Sequence, residues 1–103
     1  MDEISSEIIN EMSDMIRQVQ SLAKDAVLLI EPQVNQVIRS RVTDSKQIEV
    51  LLDKLVDYAG MDQKGLILFK RLCRYYFYID PESTAEYIDI YRDLYDSVDD
   101  LGN

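Results

Sequence analysis

Carboxylates are the only abundant side chains in this sequence that could take part in catalysis. The chain has 20 Asp and Glu residues and no histidine, so it lacks the commonest general base at neutral pH and every histidine-containing metal or nucleophile motif. Acids at helical spacing form two sets, Glu7, Glu11 and Asp14 near the start and Glu82, Glu86 and Asp89 near the end. Such sets bind Mg²⁺ in helical enzymes that hydrolyse nucleoside triphosphates. Both sets lie off the predicted core faces, however, and would converge only across a subunit interface.

Five acids form a row on one face of the C-terminal segment, with steps of 4, 3, 4 and 3: Glu82, Glu86, Asp89, Asp93 and Asp96. Like charges four residues apart destabilise a helix by roughly 0.2–0.5 kcal/mol per pair. This acidic row is either a solvated face screened by salt, a docking face for a basic partner, or an imitation of the spaced phosphates of nucleic acid. The preceding segment carries a basic patch, Lys70, Arg71 and Arg74, which could neutralise the row inside the molecule.

The tyrosines and the cysteine are concentrated in the same region. Six of the seven tyrosines and the single cysteine lie between residues 62 and 97. The spacing of Tyr87, Tyr91 and Tyr95 is typical of half-buried rings with hydroxyls at the rim, although tyrosine is also enriched at interfaces. The formal charge of −9 argues against tyrosines that stack on nucleic-acid bases. Cys73 lies among large apolar residues, which predicts a buried and unreactive thiol.

The first third of the chain predicts one long helix and one short helix. From Ile4 to about Leu29, a heptad stripe runs with alternating steps of 4 and 3: Ile8, Met12, Met15, Val19, Leu22, Ala26 and Leu29. A second row, Ile9, Ile16, Ala23 and Ile30, widens the apolar face. This width favours a core helix of a bundle over a dimeric coiled coil. Pro32 should end or kink the helix and begin a second one that reaches about Arg41.

The rest of the chain predicts three further helices, each with a recognisable start. Asp44 and Gln47 are in the relation of a capping box, and Gly60 is predicted to close that helix as its C′ residue. The next helix, from Asp62 to Ile79, has an apolar arc wide enough to be central. Asp80, followed by proline and glutamate, is the strongest local signal of a helix start, so the last two helices should form an antiparallel hairpin. The final residues, 99–103, are expected to fray.

Length and composition predict one helical domain covering residues 1–103. The chain contains 3 Gly and 2 Pro, and its apolar fraction of 47% is enough for an ordinary core. It has no apolar stretch of the roughly 20 residues that a membrane span needs. The net charge opposes direct binding to nucleic acid or to anionic lipid, and a lone cysteine is consistent with a reducing cytoplasm. The fold class is therefore predicted as an all-α, compact bundle of four to five helices with a C-terminal antiparallel helical hairpin.

The functional hypothesis that follows is a small cytoplasmic, non-enzymatic protein–protein interaction module with no cofactor or metal. Its partner is an unidentified protein, with a basic partner and a homodimer as options, and with no membrane contact. The predicted interaction residues are Glu82, Glu86, Asp89, Asp93, Asp96, Lys70, Arg71, Arg74 and Tyr78. An acidic inhibitor or nucleic-acid mimic that binds a basic protein is the second hypothesis. A metal-dependent all-α nucleotide phosphohydrolase is the third.

Overall fold

A computed structural model describes the backbone of residues 2–96 and the side chains of residues 6–95. Within this part of the chain there are four α-helices, α1 (Asp2–Arg39), α2 (Ser45–Tyr58), α3 (Gln63–Phe77) and α4 (Pro81–Tyr91). A π-helical turn, Arg92–Asp96, continues α4. The helices pack against one another and no strand occurs among these residues, which confirms the all-α bundle. The predicted fraying of residues 99–103 concerns a segment outside the described residues.

Pro32 does not divide the first helix, contrary to the sequence prediction. α1 continues through it as a single helix of 38 residues. The proline ring is exposed, and the neighbouring Gln33 side chain donates a hydrogen bond to the carbonyl of Leu29 at 3.2 Å. Ile30 and Val34, on either side of the proline, are buried in the same core. Packing on both sides therefore outweighs the backbone hydrogen bond that proline cannot make.

The starts of α2, α3 and α4 agree with the predicted caps. Asp44 accepts a hydrogen bond from the backbone of Lys46 at 3.1 Å, Asp62 from Gly65 at 3.0 Å, and Asp80 from Ser83 at 3.0 Å. Each bond satisfies an amide that has no partner inside its helix. Gly60 follows the C-cap Ala59 and so occupies the predicted C′ position, but no glycine among the described residues has a positive φ. Gly60 is instead required because a Cβ there would overlap the ring of Tyr95.

The core lies where the second half of α1 meets the other helices. α2 and α3 each pack against the three other helices, whereas α1 and α4 do not touch within the described chain. The central position predicted for α3 is thus confirmed, and α2 shares it. The buried members of α1 are Ala23, Val27, Ile30, Val34 and Val37. The other helices add apolar side chains that include Ile48, Leu52, Leu55, Leu68, Leu72 and Tyr76.

The first half of α1 extends beyond this core. α1 is about 57 Å long at 1.5 Å per residue and so accounts for the longest dimension of the molecule, 58 Å. α2 and α3, with 14 and 15 residues, are too short to cover it. We call residues 6–22 the overhang. The heptad stripe was expected to be a core face, but its members in the overhang, from Ile8 to Leu22, are exposed, and so is Leu29.

Candidate functional site: a groove in the C-terminal hairpin

A groove of about 520 Å³ runs along the hairpin between α3 and α4. Its lining is mostly apolar and consists of Leu66, Phe69, Lys70, Cys73, Arg74, Phe77, Tyr78, Thr84, Ile88, Tyr91 and Arg92. Seven of these residues belong to α3 and its C-cap at intervals of one, three and four, which is the spacing of one helical face. The start of α3 meets the end of α4, since the rings of Phe69 and Tyr91 lie 5.6 Å apart. The two helices are therefore antiparallel, as predicted.

The turn at Asp80 holds the two walls of the groove together. The amides of Ile79 and Asp80 both donate to the carbonyl of Tyr76, at 2.9 and 2.8 Å, which closes α3. The hydroxyl of Thr84 then donates to the carbonyl of Asp80 at 2.8 Å. Hydrogen bonds from the backbone and the hydroxyl of Ser83 hold the pKa of the Asp80 carboxyl below its usual range. The carboxylate form of Asp80 thus stabilises the start of α4.

Tyrosine hydroxyls attach the hairpin to α2. Tyr87 donates to Asp53 Oδ1 at 2.7 Å, and Tyr76 donates to Glu49 Oε2 at 2.5 Å. Tyr95 donates to the carbonyl of Val56 at 2.7 Å. Burial, followed by the hydrogen bonds to these carboxylates, raises the pKa of Tyr87 and of Tyr76. The half-buried ring predicted for Tyr95 is confirmed, whereas Tyr87, at 8% exposed, is more deeply buried than predicted.

Glu49 and Asp53 were not singled out from the sequence as partners of these tyrosines. Both lie on α2, four residues apart, beside its buried apolar face. That spacing places two acids on one edge of the helix, where aromatic hydroxyls of a neighbouring helix can reach them. The sequence therefore offered one signal, a pair of acids at the border of an apolar stripe. This signal does not indicate which helix will supply the hydroxyls that bind them.

Cys73 forms part of the groove floor and not a reactive centre. Its side chain is only 6% exposed, and burial raises the pKa of the thiol to about 12. The thiolate, which is the nucleophilic form, is therefore scarce at neutral pH. The predicted burial of Cys73 is confirmed, and the raised pKa supports the predicted lack of reactivity.

Cationic side chains lie on the rim of the groove, and its lining contains no acid. Two of them, Lys70 and Arg74, belong to the predicted basic patch, and the third, Arg92, was missed because it lies outside that cluster. Arg71 points elsewhere and donates to Asn35 Oδ1 at 2.6 Å. Tyr78, at 88% exposed, stands at the end of the groove nearest the turn. Phe77 is more than half exposed and also lines the groove.

The acidic row lies on the other side of α4. At 100° per residue, Glu82, Glu86 and Asp89 fall roughly opposite the groove-lining positions of the same helix. The carboxylates of these three residues are exposed and form no ion pair within residues 6–95. Asp93 is exposed too, whereas the side chain of Asp96 lies outside the described residues. Internal neutralisation of these three carboxylates by the basic patch, one of the sequence hypotheses, is therefore absent.

The two sets of acids considered for metal binding are not brought together by the helices on which they lie. Glu7, Glu11 and Asp14 are exposed on the overhang, and the other set lies on α4, which does not touch α1. Among the described residues, no group of three or more potential ligands is positioned to hold a metal ion. The ion pairs found in this part of the chain are Lys64 with Glu31, at 2.9 Å, and Arg17 with Asp14, at 3.7 Å.

Comparison with known proteins adds no relative. The chain matches no protein-family model, and no match was found among curated proteins or among solved structures. Along residues 2–96, no helix carries an apolar stretch long enough to cross a lipid bilayer.

Proposed function

We propose that the protein is a non-enzymatic interaction module whose α3–α4 groove binds an acidic amphipathic helix of a partner protein. One observation carries this proposal: the groove combines an apolar floor with a rim on which Lys70, Arg74 and Arg92 are the only charged residues. Helix-in-groove binding uses this combination, since apolar contacts provide affinity and rim charges select the partner. The partner expected at the groove is acidic at the contact, in contrast to the basic partner that the acidic row suggested.

The size of the groove fits a short helical segment. Its wall on α3, from Leu66 to Phe77, is about 17 Å long at 1.5 Å per residue, which corresponds to about three turns of a bound helix. Phe69, Ile88 and Tyr91 offer aromatic and branched surface to apolar side chains at positions i, i+3 and i+7 of such a segment. The Cys73 thiol at the base adds a small, polarizable contact.

The net charge of −9 does not prevent an acidic segment from binding at this place. Charges beyond about 8–10 Å are largely screened at physiological ionic strength, so the nearest side chains decide the local field. Those nearest to the groove are cations. The exposed acids of α4 lie on its outer face, where they would repel the same segment and thereby direct it to the groove.

A binding role rather than a catalytic one is supported by the chemistry of the groove. Its single thiol has a pKa of about 12, and the chain has no histidine to act as a base. Tyr76, Tyr87 and Tyr95 use their hydroxyls to join the hairpin to α2. The remaining polar groups of the lining are the three cations, the hydroxyls of Tyr78 and Tyr91, and the buried Thr84, whose hydroxyl is already bonded to the turn.

A pair of synthetic peptides tests this proposal directly. Each peptide is an amphipathic helix of about four turns with leucines on one face and either glutamates or lysines beside them. The protein should bind the glutamate peptide, with NMR shift changes at Phe69, Ile88 and Tyr91. Lys70→Glu combined with Arg74→Glu should weaken that binding about tenfold or more and create affinity for the lysine peptide, because rim charges select the sign of the partner.

The matched control carries the same change in charge away from the groove. Arg39→Glu combined with Lys54→Glu alters exposed residues of α1 and α2 and should leave both peptide affinities unchanged. Equal binding of the two peptides, or equal losses in the control and groove variants, would disprove a charge-selective groove. Shift changes confined to residues outside α3 and α4 would do the same.

A second candidate function rests on the acidic row. The exposure of Glu82, Glu86 and Asp89 without an ion pair is compatible with docking of a basic protein, or with imitation of nucleic-acid phosphates. Its test is competition: the protein should displace a basic DNA-binding protein from its DNA, and added salt should suppress the effect. Glu86→Gln with Asp89→Asn should abolish displacement while helical circular dichroism persists. Displacement that is insensitive to both changes would exclude this function.

A further inference from the structure

We infer that the overhang of α1 pairs with the overhang of a second copy of this chain, in an antiparallel dimer with two-fold symmetry. The surface concerned is separate from the α3–α4 groove, since no residue of α1 lines that groove. It consists of seven apolar side chains, each between 49% and 69% exposed: Ile8, Ile9, Met12, Met15, Ile16, Val19 and Leu22. No other part of the described chain covers these side chains.

The overhang face continues the face by which α1 enters its own core. At 100° per residue, Met12, Ile16 and Val19 fall in the same arc as the buried residues that follow them. Those buried residues are Ala23, Val27, Ile30, Val34 and Val37. α2 and α3 cover this face in the second half of α1 and stop short of the first half. A further helix laid on the overhang would therefore extend an existing helical packing surface.

The length of the overhang also calls for a partner. An isolated helix of this length is marginal in water, because most helical stability in proteins comes from packing of the apolar face. The overhang is helical throughout its 17 residues without such packing inside the chain. A second overhang supplies an apolar face of the same length and width, and symmetric pairing of one patch is the commonest form of association.

Sterics select the antiparallel orientation. In a parallel, in-register pair, the second half of the partner's α1 would run through the space that α2 and α3 occupy on the same face. In the antiparallel pair, the partner's overhang lies beside the overhang alone, and the two bundles lie at opposite ends. The register that overlaps the two overhangs places Ile8 opposite the partner's Val19 and Met12 opposite the partner's Met15. Glu11 then flanks the partner's Gln18, so no like charges meet at that point.

The area is enough for a specific but moderate association. The two overhangs overlap over a length of about 24 Å. A helix is roughly 10–12 Å in diameter, and the dimer would bury about half of its solvent-accessible circumference along this length. The buried surface is therefore roughly 500 Å² per chain. The total of roughly 1,000 Å² is close to the lower limit for a specific interface. The dimer is thus expected to depend on concentration.

The charges next to the overhang favour a second copy over a membrane surface. Residues 6–25 contain four acids, Glu7, Glu11, Asp14 and Asp25, against the two bases Arg17 and Lys24. Helices that lie in the membrane interface are typically rich in lysine and arginine on their polar face. An anionic lipid surface would therefore repel the overhang, whereas the dimer keeps these charges in water.

The experiment is sedimentation equilibrium of the full chain from micromolar to millimolar concentration. The mass should rise from 12.0 kDa to twice that value. Met15→Glu with Val19→Glu should hold it at 12.0 kDa at every concentration, with the bundle intact because neither residue touches it. Asn10→Glu with Ser21→Glu, which adds the same charge on the opposite face, should leave the dimer unchanged. A mass of 12.0 kDa for the unaltered chain throughout would overturn the proposal.

Cysteine cross-linking checks the orientation. In the antiparallel register the two copies of Ile8 are about 16 Å apart, too far for a disulfide, whereas Ile8 lies beside the partner's Val19. Mixed Ile8→Cys and Val19→Cys chains should therefore form a mixed disulfide, and Ile8→Cys alone should form none. A rapid Ile8→Cys homodisulfide would establish a parallel pair and overturn this one.

Two other binding partners for the apolar face of the overhang would also overturn the proposal. If Lys70→Glu with Arg74→Glu reduced the mass to 12.0 kDa, the overhang would occupy the groove of the second copy instead. If anionic phosphatidylserine vesicles bound the unaltered chain but not Met15→Glu with Val19→Glu, the face would be a lipid-binding surface.

Discussion

The two halves of α1 have the same apolar periodicity but lie in opposite environments. In the second half, Ala23, Val27, Ile30, Val34 and Val37 are buried against α2 and α3, whereas the apolar side chains from Ile8 to Leu22 face solvent. The local sequence gives no reason for this contrast, since both halves have branched or long apolar residues at steps of 3 and 4. The cause is the length of the neighbouring helices. An apolar stripe therefore predicts that a face will be covered but not which molecule covers it.

The α3–α4 hairpin differs from α1, because the contrast between its two sides concerns charged side chains and not apolar ones. The acidic row and the basic patch are close in sequence, and their opposite signs allowed mutual neutralisation as one hypothesis. Glu82, Glu86 and Asp89 of the row lie on the side of α4 away from Lys70 and Arg74, because α4 directs Thr84, Ile88 and Tyr91 towards α3. Proximity in the sequence of two oppositely charged helices thus does not imply contact between their charges.

The largest expected effect contrasts a leucine of the bundle with one of the overhang. Leu72 is 0% exposed and Leu22 is 69% exposed. Leu72→Ala should lower the free energy of unfolding by about 2–5 kcal/mol, because it leaves a cavity. Leu22→Ala should lower it by less than about 0.5 kcal/mol in dilute protein. Urea denaturation measures both changes, and similar losses would mean that the overhang is packed even at low concentration.

An intermediate effect is expected for Gly60, which follows α2 and lies against Tyr95 of the π-helical turn. Gly60→Ala should lower the free energy of unfolding by about 1–2 kcal/mol, because the new methyl group displaces the ring of Tyr95. That ring would lose its hydrogen bonds to the carbonyls of Val56 and Asp57, now 2.7 and 3.1 Å long. In a Tyr95→Ala background the same change should cost almost nothing. An equal loss of stability in both backgrounds would mean that the new methyl group clashes with a residue other than Tyr95.

The smallest effect at neutral pH concerns the tyrosine that joins α4 to α2. Tyr87→Phe should lower the free energy of unfolding by about 1 kcal/mol, through loss of the hydrogen bond to Asp53. Tyr78→Phe, at the exposed end of α3, should have no effect. Thermal denaturation of both variants, followed by circular dichroism, provides the measurement.

The same tyrosine predicts how stability responds to alkaline pH. Burial and the bond to Asp53 raise the pKa of Tyr87 above its ordinary value of about 10. The folded state thus holds a proton that the unfolded state has released, so stability is intact below about pH 10 and is lost as the pH rises through the folded pKa. Tyr87→Phe should flatten this decline. An unchanged slope would assign the decline to Cys73, Tyr76 and Tyr95, whose pKa values are raised too.

Most of the fold could be predicted from local signals, and the exceptions have identifiable causes. Asp44, Asp62 and Asp80 marked three helix starts correctly because a cap depends only on a few neighbouring residues. Pro32 was misjudged because its local cost is outweighed by core contacts of Ile30 and Val34. Gly60 was assigned to the right place for the wrong reason, since a ring from the far end of the chain requires it.

The candidate site was predictable only in part. Lys70, Arg74 and Tyr78 were named as interaction residues, and all three line the groove. Arg92 and the groove floor were missed because they belong together only after the hairpin closes. Arg71, by contrast, was grouped with the patch by sequence but bonds to Asn35 of α1, some 36 positions away.

The sequence by itself determined where α2, α3 and α4 begin, which face of each helix is apolar, and that the chain is an acidic all-α bundle. These features follow from hydrogen bonding and periodicity within a few residues, which local sequence encodes. Only the tertiary structure decided that one apolar face would be half covered and half exposed, and that the cations of α3 would border a groove. Both outcomes depend on how far each helix extends along its neighbours, and that quantity is set by packing over the whole bundle.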